Sequence, residues 1–562
     1  MARQLIECVP NFSEGRDMNI IRQITAEIEK LEGVKLLDID PGKATNRTVV
    51  TFVGEPEPVI EAAFLAIQKA AEIIDMRQHR GEHPRFGATD VCPLVPIANI
   101  SMEETAKYAR KLGKRVGDQL GIPVYFYENA ATEEKRKNLA LVRAGEYEGI
   151  EKKIKDPIWK PDEGPAVFNP KTGNIAIGAR DFLVAYNANL NTTSVRRANS
   201  VAFDIRENGR IKRAGNPVNG KIVTNKKGEP VRIPGVCKGV KAIGWFIEEY
   251  GVAQVSMNIT NINITSVHEA FDACVHSAHA RGMRVTGSEL VGLIPKKAML
   301  DAGRYFLEKQ RRSTGISEEE LIRIAIRSMG LDELMPFDPK KKIIEYLLED
   351  ERKAPLIAMN LRDFSNETAS ESPAPGGGSI SAYVGALGIS LATMVANLSS
   401  HKRGWDDRWQ EFSNWADQGQ QIKDKLLRMV DEDTNAFNGI MQAFQLPKSS
   451  EVEKAARKKA ISDATKVAIL VPFRVMQLSV DAFKIIRAMA ETGNPNSVSD
   501  AGVGALCARA AVLGAHLNVL INANGLENDS FVQDTMHAAQ QLANQAVKEE
   551  AAIFDIVKAK IG

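Results

Sequence analysis

Short apolar runs alternate with longer amphipathic stretches along the first part of the chain. The runs have the length and the flanking Gly or Pro residues of strands, and the longer stretches repeat apolar residues every three or four positions, as helices do. Two strands form an apparent hairpin, so the order of elements predicts an α/β sandwich of the split βαβ kind. The predicted elements are strand Leu5–Val9, helix Met18–Leu31, strands Val34–Ile39 and Arg47–Val53, helix Pro58–Ile74, strand Val91–Ile97, helix Met102–Leu120 and strand Pro123–Glu128.

The same pattern recurs and predicts a second α/β subdomain. Its elements are strand Phe182–Leu190, helix Thr193–Ile205, strands Ala242–Glu248 and Ala253–Ile259, helix His268–Arg281 and strand Arg284–Glu289. The segment Glu207–Gly235 is rich in Gly, Lys, Arg and Asn and is expected to be an exposed excursion. Two packed subdomains leave a cleft between them, which is a usual place for a ligand.

After a connection at about 330–357 the strand patterns end and helical spacing fills the chain. The predicted helices are Arg362–Ser370, Ile380–Ser399, Trp405–Phe444, Val452–Ala490, Asp500–Asn522 and Asp529–Lys560. They predict an all-α bundle. We therefore expect a multidomain α/β plus all-α protein with domains at 1–181, 182–329 and 358–562, joined by a linker at 330–357. Separate expression of residues 1–331 and 353–562 is expected to give two folded proteins.

The uncharged stretch Ile380–Leu398 is the one candidate for a membrane span. It is rich in Gly, Ala, Ser and Thr, and a helix that is apolar on all sides can equally form the centre of a soluble bundle. Gly385 and Gly388 would let neighbouring helices approach closely. We predict a buried helix and no membrane span.

Composition narrows the choice of function and compartment. The 562 residues are 44% hydrophobic, which is ordinary for a globular protein. A net charge of +2 gives no general reason to expect nucleic acid as a partner. The five cysteines are scattered and lack the spacing of metal ligands, which indicates a reducing compartment. The first residues lack the apolar run of a signal peptide, so we expect a cytoplasmic protein.

The segment Asp75–Pro93 concentrates the chemistry of the chain. It holds two histidines, three arginines and three carboxylates, and its Gly and Pro residues exclude a continuous helix, so we expect a loop. His79-Arg-Gly-Glu-His83 matches a zinc pattern that requires both histidines on one helical face. Gly81 and Pro84 oppose that geometry. The preferred interpretation is one working histidine among arginines, suited to proton transfer on an anionic substrate.

Longer motifs carry a family resemblance that covers nearly the whole chain. ECVPNFSEGR (7–16), LLDIDPGKATNRTVVTFVG (36–54) and GEHPRFGATDVCPLVP (81–96) occur in the first half, and ESPAPGGGS, VDEDTNAF and SDAGVGA in the second. These motifs resemble formiminotransferase-cyclodeaminase, a bifunctional folate enzyme of histidine degradation. The resemblance implies transfer of a formimino group from N-formimino-L-glutamate to tetrahydrofolate, and then cyclisation to 5,10-methenyltetrahydrofolate with release of ammonia. It also implies polyglutamated tetrahydrofolate as co-substrate, no metal, and a homo-oligomer built from dimers.

For the transfer step the resemblance implies that His83, in the E-H-P-R tetrad, is the acid/base residue. His79 is the runner-up and more a positional residue. Asp40 is placed to orient His83, although an Asp before Pro-Gly is also common in turns. Arg85 is a candidate for a substrate carboxylate, with help from Asn46 and Arg47.

The resemblance also assigns a folate-contacting segment, in which Phe168 could stack on an aromatic ring of the folate. Without the resemblance this segment reads as an ordinary loop. The segment consists of Gly164, Pro165, Ala166, Val167, Phe168, Asn169, Pro170, Lys171, Thr172 and Gly173.

In the second half the resemblance implies that an aspartate of the V-D-x-D-x-x-A-F motif serves cyclodeamination, and Asp433 is preferred to Asp431. The glycines of Ser372–Ser379 precede a helix and could form an anion nest, or simply a flexible cap. Asn518 and Asn522 share one helical face and could bind a pterin edge or hydrogen-bond within the bundle. Asp500 is expected to be a helix N-cap first.

Two other classes of function remain open at this stage. A metal-dependent hydrolase would use His79 and His83 as ligands. A non-catalytic folate-binding protein would bind folate without turnover.

Overall fold

The structure is a computed structural model that describes residues 4–43, 45–81, 84–216, 219–348, 355–524, 526 and 529–562. The chain folds into two compact units. The first comprises Met1–Ala302 and Ile326–Leu348, and the second comprises Gly303–Ala325 and Glu349–Gly562. The segment Gly303–Ala325, which the sequence pattern assigned to the second α/β subdomain, thus belongs with the helical half.

A seven-stranded sheet with its helices forms the first part of the first unit. The strands are β1 (Leu5–Cys8), β2 (Asn11–Phe12), β3 (Val34–Gly42), β4 (Arg47–Gly54), β5 (Thr89–Ala98), β6 (Val124–Glu128) and β7 (Ile175–Ala179). The helices are α1 (Met18–Glu29), α2 (Pro56–Ile73), α3 (Met102–Leu120), α4 (Leu139–Val142) and α5 (Glu146–Lys153).

The topology of this sheet confirms the split βαβ prediction. Strands β3, β4, β1 and β5 lie in that order and are antiparallel, with α1 and α2 as the crossovers. Parallel pairing of β7 with β5 and with β6 extends the sheet. β7 was not predicted. Its residues are all buried, so the sequence shows no alternation of apolar and polar side chains there.

The two faces of this sheet have different roles. Ile6, Cys8, Phe52 and Leu94 belong to the core under the helices α1 to α3. Side chains alternate along a strand, so Glu7 between Ile6 and Cys8 points to the opposite face. That face also carries a second cluster with Phe86, Val91, Tyr125 and Tyr127, against which Val142 of α4 and Ile150 of α5 pack.

A four-stranded antiparallel sheet in the order β11-β12-β8-β13 confirms the second α/β subdomain. Its elements are β8 (Val184–Leu190), α6 (Val195–Ile205), β9 (Arg210–Ile211), β10 (Arg232–Ile233), β11 (Val240–Ile247), β12 (Val252–Ile259), α7 (Val267–His279) and β13 (Val285–Val291). The short strands β9 and β10 pair with each other inside the predicted excursion. Four helices follow: α8 (Lys296–Lys309), α9 (Glu318–Met329), α10 (Pro339–Lys342) and α11 (Ile344–Leu348). Of these, the sequence pattern indicates only α11, at IIEYLL.

The rest of the second unit is helical, as predicted. Its helices are α12 (Leu361–Thr368), α13 (Gly377–Ser400), α14 (Trp409–Phe444), α15 (Glu451–Thr492), α16 (Val498–Ala523) and α17 (Ser530–Ile561). α13 packs closely on α14 and α16 because small residues line its contacts: a Cβ on Gly388 would lie 2.9 Å from the carbonyl oxygen of Gly504. α13 and the stretch Pro495–Ala523 are long and apolar enough to span a membrane, but 61% of the apolar window of α13 is buried inside the unit.

Candidate active sites

Pro84 and Arg85 of the E-H-P-R motif lie where the loop after α2 returns to the first sheet. His83 and Glu82 lie outside the described residues, so the predicted acid/base histidine is not located. Its neighbour Arg85 is held on several sides. Arg85 donates to the carbonyl oxygens of Met76 (2.9 Å) and His79, forms an ion pair with Glu148, and lies 4.7 Å from the centre of the Tyr147 ring. The guanidinium of Arg85 therefore fastens the loop to α5.

His79 is part of the loop framework. Its Nε2 donates to the backbone carbonyl oxygen of Asn46 at 2.7 Å, while its Nδ1 is buried without a hydrogen-bond partner. Burial lowers the pKa of His79, and the nearby charge of Arg85 lowers it further. Both ring nitrogens are thus withdrawn from solvent. Among the described residues no group of three or more His, Cys, Asp or Glu side chains is arranged to hold a metal ion, and His79 offers no accessible nitrogen to one.

Asn46 joins two other segments to this loop. Its side chain accepts from Gly15 N at 3.0 Å and donates to the carbonyl oxygen of Arg80 at 2.8 Å. The residue has a φ of 49°, in the left-handed region that asparagine tolerates better than most residues. Asn46 therefore brings the opening E-C-V-P-N-F-S-E-G-R motif and the His79 loop together.

A buried ion-pair cluster lies next to the loop, and sequence reasoning found only one of its members. Arg47 donates from Nη1 to Asp90 and from Nε and Nη2 to Asn11 Oδ1. Arg143 Nη2 lies 2.9 Å from the same Asp90 oxygen and also donates to the carbonyl oxygen of Pro84 at 2.6 Å. Asp90 is 1% exposed, so its charge requires these partners. Through Arg143 the cluster holds the residue that directly follows position 83.

Asp40 lies inside β3, opposite Val49 of β4, and not in a turn at the end of the strand as the sequence indicated. The ladder continues through Pro41 and Gly42, which the sequence pattern had assigned to the loop. The Oδ2 of Asp40 accepts from Gly292 N at 3.0 Å, just beyond β13. The carboxylate thus links the two α/β subdomains within the first unit. Its predicted contact with His83 lies outside the described residues.

The segment predicted to contact folate packs beside the same loop. Phe168 and Tyr147 have ring centroids 5.6 Å apart at an angle of 60°, and the Arg85 guanidinium also lies over the Tyr147 ring, 4.7 Å from its centre. Tyr147 Oη donates to the carbonyl oxygen of Pro170. Asn169 Oδ1 accepts from the backbone of Lys171 and Thr172, which fixes the turn. The structure therefore brings this segment and the E-H-P-R loop together through Tyr147, while residues 164–167 stay exposed.

In the second unit the two motifs of the helical half meet at the N-terminus of α13. The side chain of Asp433 on α14 lies directly against Gly378: a Cβ on that glycine would be 2.2 Å from Asp433 Oδ1. Asp433 Oδ2 accepts from Ser379 Oγ at 3.2 Å. Burial raises the pKa of Asp433, and hydrogen bonds from the side chain and backbone of Ser379 oppose that shift. Asn518 of α16 lies beside Gly377, with its Nδ2 3.3 Å from the position a Cβ would take.

The other candidates of the helical half have structural partners. Asp431 is 4% exposed and accepts from the backbone N–H groups of Leu356 (2.9 Å) and Ile357 (3.2 Å), so it fastens the segment that enters the unit. Asn522 donates to the carbonyl oxygen of Ala468 at 2.8 Å. The prediction for Asp500 was wrong, because Ser497 occupies the N-cap position of α16 and Asp500 lies in its first turn.

Comparison with known proteins gives one family along the chain. Family models match residues 5–180 (formiminotransferase domain, N-terminal subdomain), 185–349 (formiminotransferase domain) and 360–541 (formiminotransferase-cyclodeaminase). The chain is 40% identical to the formimidoyltransferase-cyclodeaminase of Gallus gallus and 38% identical to that of Mus musculus, over 99% of this chain and 99% of each relative. It is 42% identical to the glutamate formimidoyltransferase of Thermoplasma acidophilum over 54% of this chain and 92% of that protein.

Proposed function

Because the chain belongs to the formiminotransferase-cyclodeaminase family, we infer that it is a bifunctional folate enzyme. It transfers the formimino group from N-formimino-L-glutamate to tetrahydrofolate, giving 5-formiminotetrahydrofolate and L-glutamate. It then cyclises this product to 5,10-methenyltetrahydrofolate and releases ammonia. The observation that supports two activities is the separation of the motifs: the E-H-P-R loop and the folate segment meet in the first unit, and Asp433 meets the glycines of α13 in the second.

In the transfer step we propose His83 as the general acid and base. The attacking folate nitrogen loses a proton and the leaving nitrogen of glutamate gains one, and a histidine that titrates near neutral pH can do both in turn. Asp40 is proposed to position His83. Its ladder contact with β4 and its bond from Gly292 N hold the carboxylate in place, as a positioning role requires.

Arg85 is proposed to bind a carboxylate of the formimino donor, with help from Asn46 and Arg47. Of these three residues, only Arg85 has a partner, Glu148, that a substrate carboxylate can easily replace. The side chain of Glu148 is 60% exposed, and ion pairs at such sites stabilise a protein by about 1 kcal/mol or less. A substrate carboxylate can therefore replace Glu148 at little cost. The side chain of Asn46 is already hydrogen-bonded to Gly15 and Arg80, and that of Arg47 to Asn11 and Asp90. These two residues therefore help by shaping the site around the carboxylate.

Residues 164–173 are proposed to bind tetrahydrofolate, with Phe168 contributing its ring. The exposed backbone of residues 164–167 lies next to the Tyr147–Phe168 pair, which offers an aromatic surface for a pterin or aminobenzoyl ring. We propose that the folate carries a polyglutamate tail and that neither step needs a metal ion. The five cysteines are free thiols, which fits the proposed cytoplasmic location.

In the cyclisation step we propose that Asp433 carries the proton between two nitrogens. The formimino group reacts as its protonated amidinium, –CH=NH2+. N10 of the folate attacks the formimino carbon: a new C–N10 bond forms, the C=N bond of the amidinium becomes a single bond to NH2, and N10 gives its proton to the ionised Asp433. The protonated carboxyl then passes this proton to the formimino nitrogen, whose bond to carbon breaks as ammonia leaves. Burial raises the pKa of Asp433, which makes its protonated form accessible closer to neutral pH.

We propose that the enzyme is a homo-oligomer in which the helical units pair. Leu387, Met394 and Leu398 of α13 and Val503, Leu506, Leu517 and Leu520 of α16 are between 39% and 66% exposed. α13 and α16 run antiparallel, since Gly377 lies against Asn518 and Gly388 against Gly504. Successive residues of a helix are rotated by about 100°. On this basis the exposed apolar residues of α13 lie about 90° around the helix from its contact with α16, and those of α16 lie about 90° from its contact with α13. Because the helices are antiparallel, both sets of residues face the same side of the helix pair. We propose that a second copy of the chain covers these exposed apolar residues. The double substitution Leu506→Glu with Met394→Glu should therefore lower the mass found by analytical ultracentrifugation. Val547→Glu on α17 is the control and should leave the mass unchanged.

The two proposed sites are tested separately in the full-length protein. With N-formimino-L-glutamate and tetrahydrofolate, the enzyme should release ammonia and form methenyltetrahydrofolate together. His83→Ala should slow transfer by ~10²–10⁴-fold but leave conversion of supplied 5-formiminotetrahydrofolate intact. Asp433→Asn should do the reverse. His537→Ala and Glu432→Gln, exposed positions on α17 and α14, are the matched controls. Near-normal transfer by His83→Ala, or near-normal ammonia release by Asp433→Asn, would remove that residue from its proposed role.

A chelator separates this function from a metal-dependent hydrolase. We expect both rates to be unchanged after dialysis against EDTA, because both steps are written as proton transfers between side chains and substrate. Loss of either rate, with recovery on adding zinc, would favour the hydrolase.

A further inference from the structure

The hydroxyl group of Ser379 lies between two acceptors in the second unit. Its Oγ is 2.8 Å from the carbonyl oxygen of Val430 and 3.2 Å from Asp433 Oδ2, and 3.4 Å from Thr434 Oγ1. Ser379 is fully buried, so water does not compete for these contacts. A serine hydroxyl has one hydrogen and two lone pairs, so it can donate to only one of these oxygens at a time.

The backbone brings the hydroxyl and the carboxyl together. Asp433 lies against Gly378, where a Cβ would be 2.2 Å from Oδ1 and 2.5 Å from Cγ. Any side chain at position 378 would displace the carboxyl from the start of α13. Because Gly378 leaves this space, Asp433 also accepts a hydrogen bond from the backbone N–H of Ser379. Asp433 itself is only half-buried and remains accessible to a ligand.

Both protonation states of Asp433 can be satisfied by a rotation of this one hydroxyl. When Asp433 is ionised, the Ser379 O–H donates to Oδ2, in addition to the backbone N–H. When Asp433 is protonated, its own O–H can donate to Ser379 Oγ, while the serine hydrogen turns to the Val430 carbonyl oxygen. No buried polar group is left without a partner in either state, which keeps the cost of changing state small.

We propose that Ser379 is a positioning residue for cyclodeamination, which turns its O–H between Asp433 and Val430 as a proton enters and leaves Asp433. This inference rests on the proposed role of Asp433 as the proton carrier. It explains why the proton carrier Asp433 is hydrogen-bonded to Ser379. A carboxyl group that changes its protonation state within each turnover needs a neighbour that can both donate and accept a hydrogen bond. The N-terminus of α13 supplies the fixed donor, and Ser379 supplies the reversible one.

The surroundings of Asp433 make the effect of Ser379 measurable. Ser379 is hydrogen-bonded to Asp433, Thr434 Oγ1 lies 3.4 Å from the same serine oxygen, and Asn518 lies beside Gly377. Among the described residues no charged side chain contributes to the shift of the Asp433 pKa. Burial is the cause that raises the pKa of Asp433, and the two bonds from Ser379 are the causes that lower it. Removing the hydroxyl therefore raises this pKa further, so the ionised base appears only at higher pH.

The test is Ser379→Ala in the full-length protein, assayed with supplied 5-formiminotetrahydrofolate across a range of pH. The variant keeps the backbone N–H and loses one oxygen atom. We expect kcat for ammonia release to fall about 10- to 100-fold, in line with loss of a hydrogen bond to a charged group. The acid limb of the kcat profile should move to higher pH, while KM and the transfer rate stay unchanged. Ser379→Thr, which keeps a hydroxyl, should restore the limb. Ser390→Ala on the same helix, whose Oγ donates to Ala386 O, is the control.

The outcomes separate this inference from the proposed function. If Asp433→Asn stops ammonia release while Ser379→Ala leaves both kcat and the acid limb unchanged, Ser379 has no such role and Asp433 keeps its own. If kcat falls in Ser379→Ala without a shift of the limb, and Ser379→Thr does not recover, the serine is only structural and the inference is overturned. If Asp433→Asn keeps full activity, the proposed proton carrier fails first, and the inference fails with it.

Discussion

Glu7 lies in the middle of β1, between the core residues Ile6 and Cys8, and is 3% exposed. Burial raises the pKa of its carboxyl to about 7; Arg180 lowers the pKa and Glu345 raises it. The group is therefore largely protonated in the folded protein below neutral pH and ionises as the pH rises through about 7, whereas in the unfolded chain it ionises near 4.5. Folding opposes ionisation of Glu7, so its contribution to stability is fully present below pH 4.5 and is lost as the pH rises through about 7.

Glu7→Gln should therefore stabilise the protein at high pH and do little at low pH. The difference between variant and parent should grow from pH 4.5 to about 7 and then level off. At full ionisation it should be on the order of 3 kcal/mol. Urea unfolding followed at several pH values measures it, and Glu103→Gln, whose side chain is 82% exposed, is the control. A constant difference across this range would show that Glu7 ionises in the folded protein as it does in water.

Motifs reveal residues that are close in sequence, and the cluster around Asp90 shows the limit of that approach. Arg47 stands in a conspicuous motif and was singled out. Arg143 stands in a stretch without any pattern, and it meets Asp90 only because α4 and the following turn cover one face of the first sheet. Asp90 itself is buried, and burial of a lone Asp in a strand cannot be read from its neighbours. The sequence therefore predicted the loop but not the ion pairs that hold it.

At the scale of elements, α15 contains a proline that another helix compensates. Pro472 lies inside α15 and has no N–H, so the carbonyl oxygen of Ala468, four residues earlier, lacks its helical donor. Asn522 of α16 donates its Nδ2 to that oxygen at 2.8 Å. The amide that sequence reasoning left open between a pterin and the bundle thus has a bundle partner, and it couples α15 to α16.

This pairing predicts a specific coupling between two substitutions. Asn522→Leu should destabilise the helical unit by about 1–3 kcal/mol, because it leaves the Ala468 carbonyl oxygen without a donor. In a Pro472→Ala background the new N–H restores the helical bond, so the same Asn522→Leu should cost much less. Urea unfolding of the two single variants and the double variant measures the coupling. Strict additivity would show that Asn522 does not compensate for Pro472.

Sequence analysis predicted best those helices and strands whose apolar residues repeat at regular intervals. The strand pairs of both split βαβ subdomains and the six helices of the second half were found because their apolar residues repeat clearly. β7 was missed because it is buried on both faces, and β3 was ended too early because Pro41 and Gly42 normally stop a strand. They continue β3 here because β4 pairs with it as far as Arg47. Pairing between strands depends on the tertiary structure, so it cannot be predicted from the local propensities of the residues.

At the scale of the whole molecule, a segment assigned by sequence to the second α/β subdomain belongs with the helical unit. Gly315 lies so close to α14 that a Cβ would be 2.2 Å from the Cβ of Ala416. Its carbonyl oxygen accepts from Asn397 Nδ2 (2.8 Å) and Gln420 Nε2 (3.1 Å), and Thr314 N donates to Ser413 Oγ at 2.9 Å. The sequence could not indicate this, because Ser313–Ile316 reads as a short polar loop.

Fragments 1–331 and 353–562 would therefore divide the second compact unit. The helical fragment would lack Gly303–Ala325, and the buried Ser413 and the amides of Asn397 and Gln420 would lose their partners. We expect this fragment to unfold at a lower urea concentration than the helical unit of the full-length protein. Equal midpoints would show that the segment adds nothing to the stability of the helices.

Gly315→Val tests the same contact without cutting the chain. The branched side chain has no space against Ala416, so the variant should be destabilised by about 1–3 kcal/mol. For a unit of this size that lowers the unfolding temperature by roughly 2–4 °C for each kcal/mol. Cyclodeamination should be lost on heating before transfer is, because the contact belongs to the second unit. Gly439→Ala on α14, where nothing lies within 4 Å of the added Cβ, should leave the unfolding temperature unchanged or raise it slightly. If both variants unfold alike, or if transfer is lost first in Gly315→Val, the segment does not serve the helical unit.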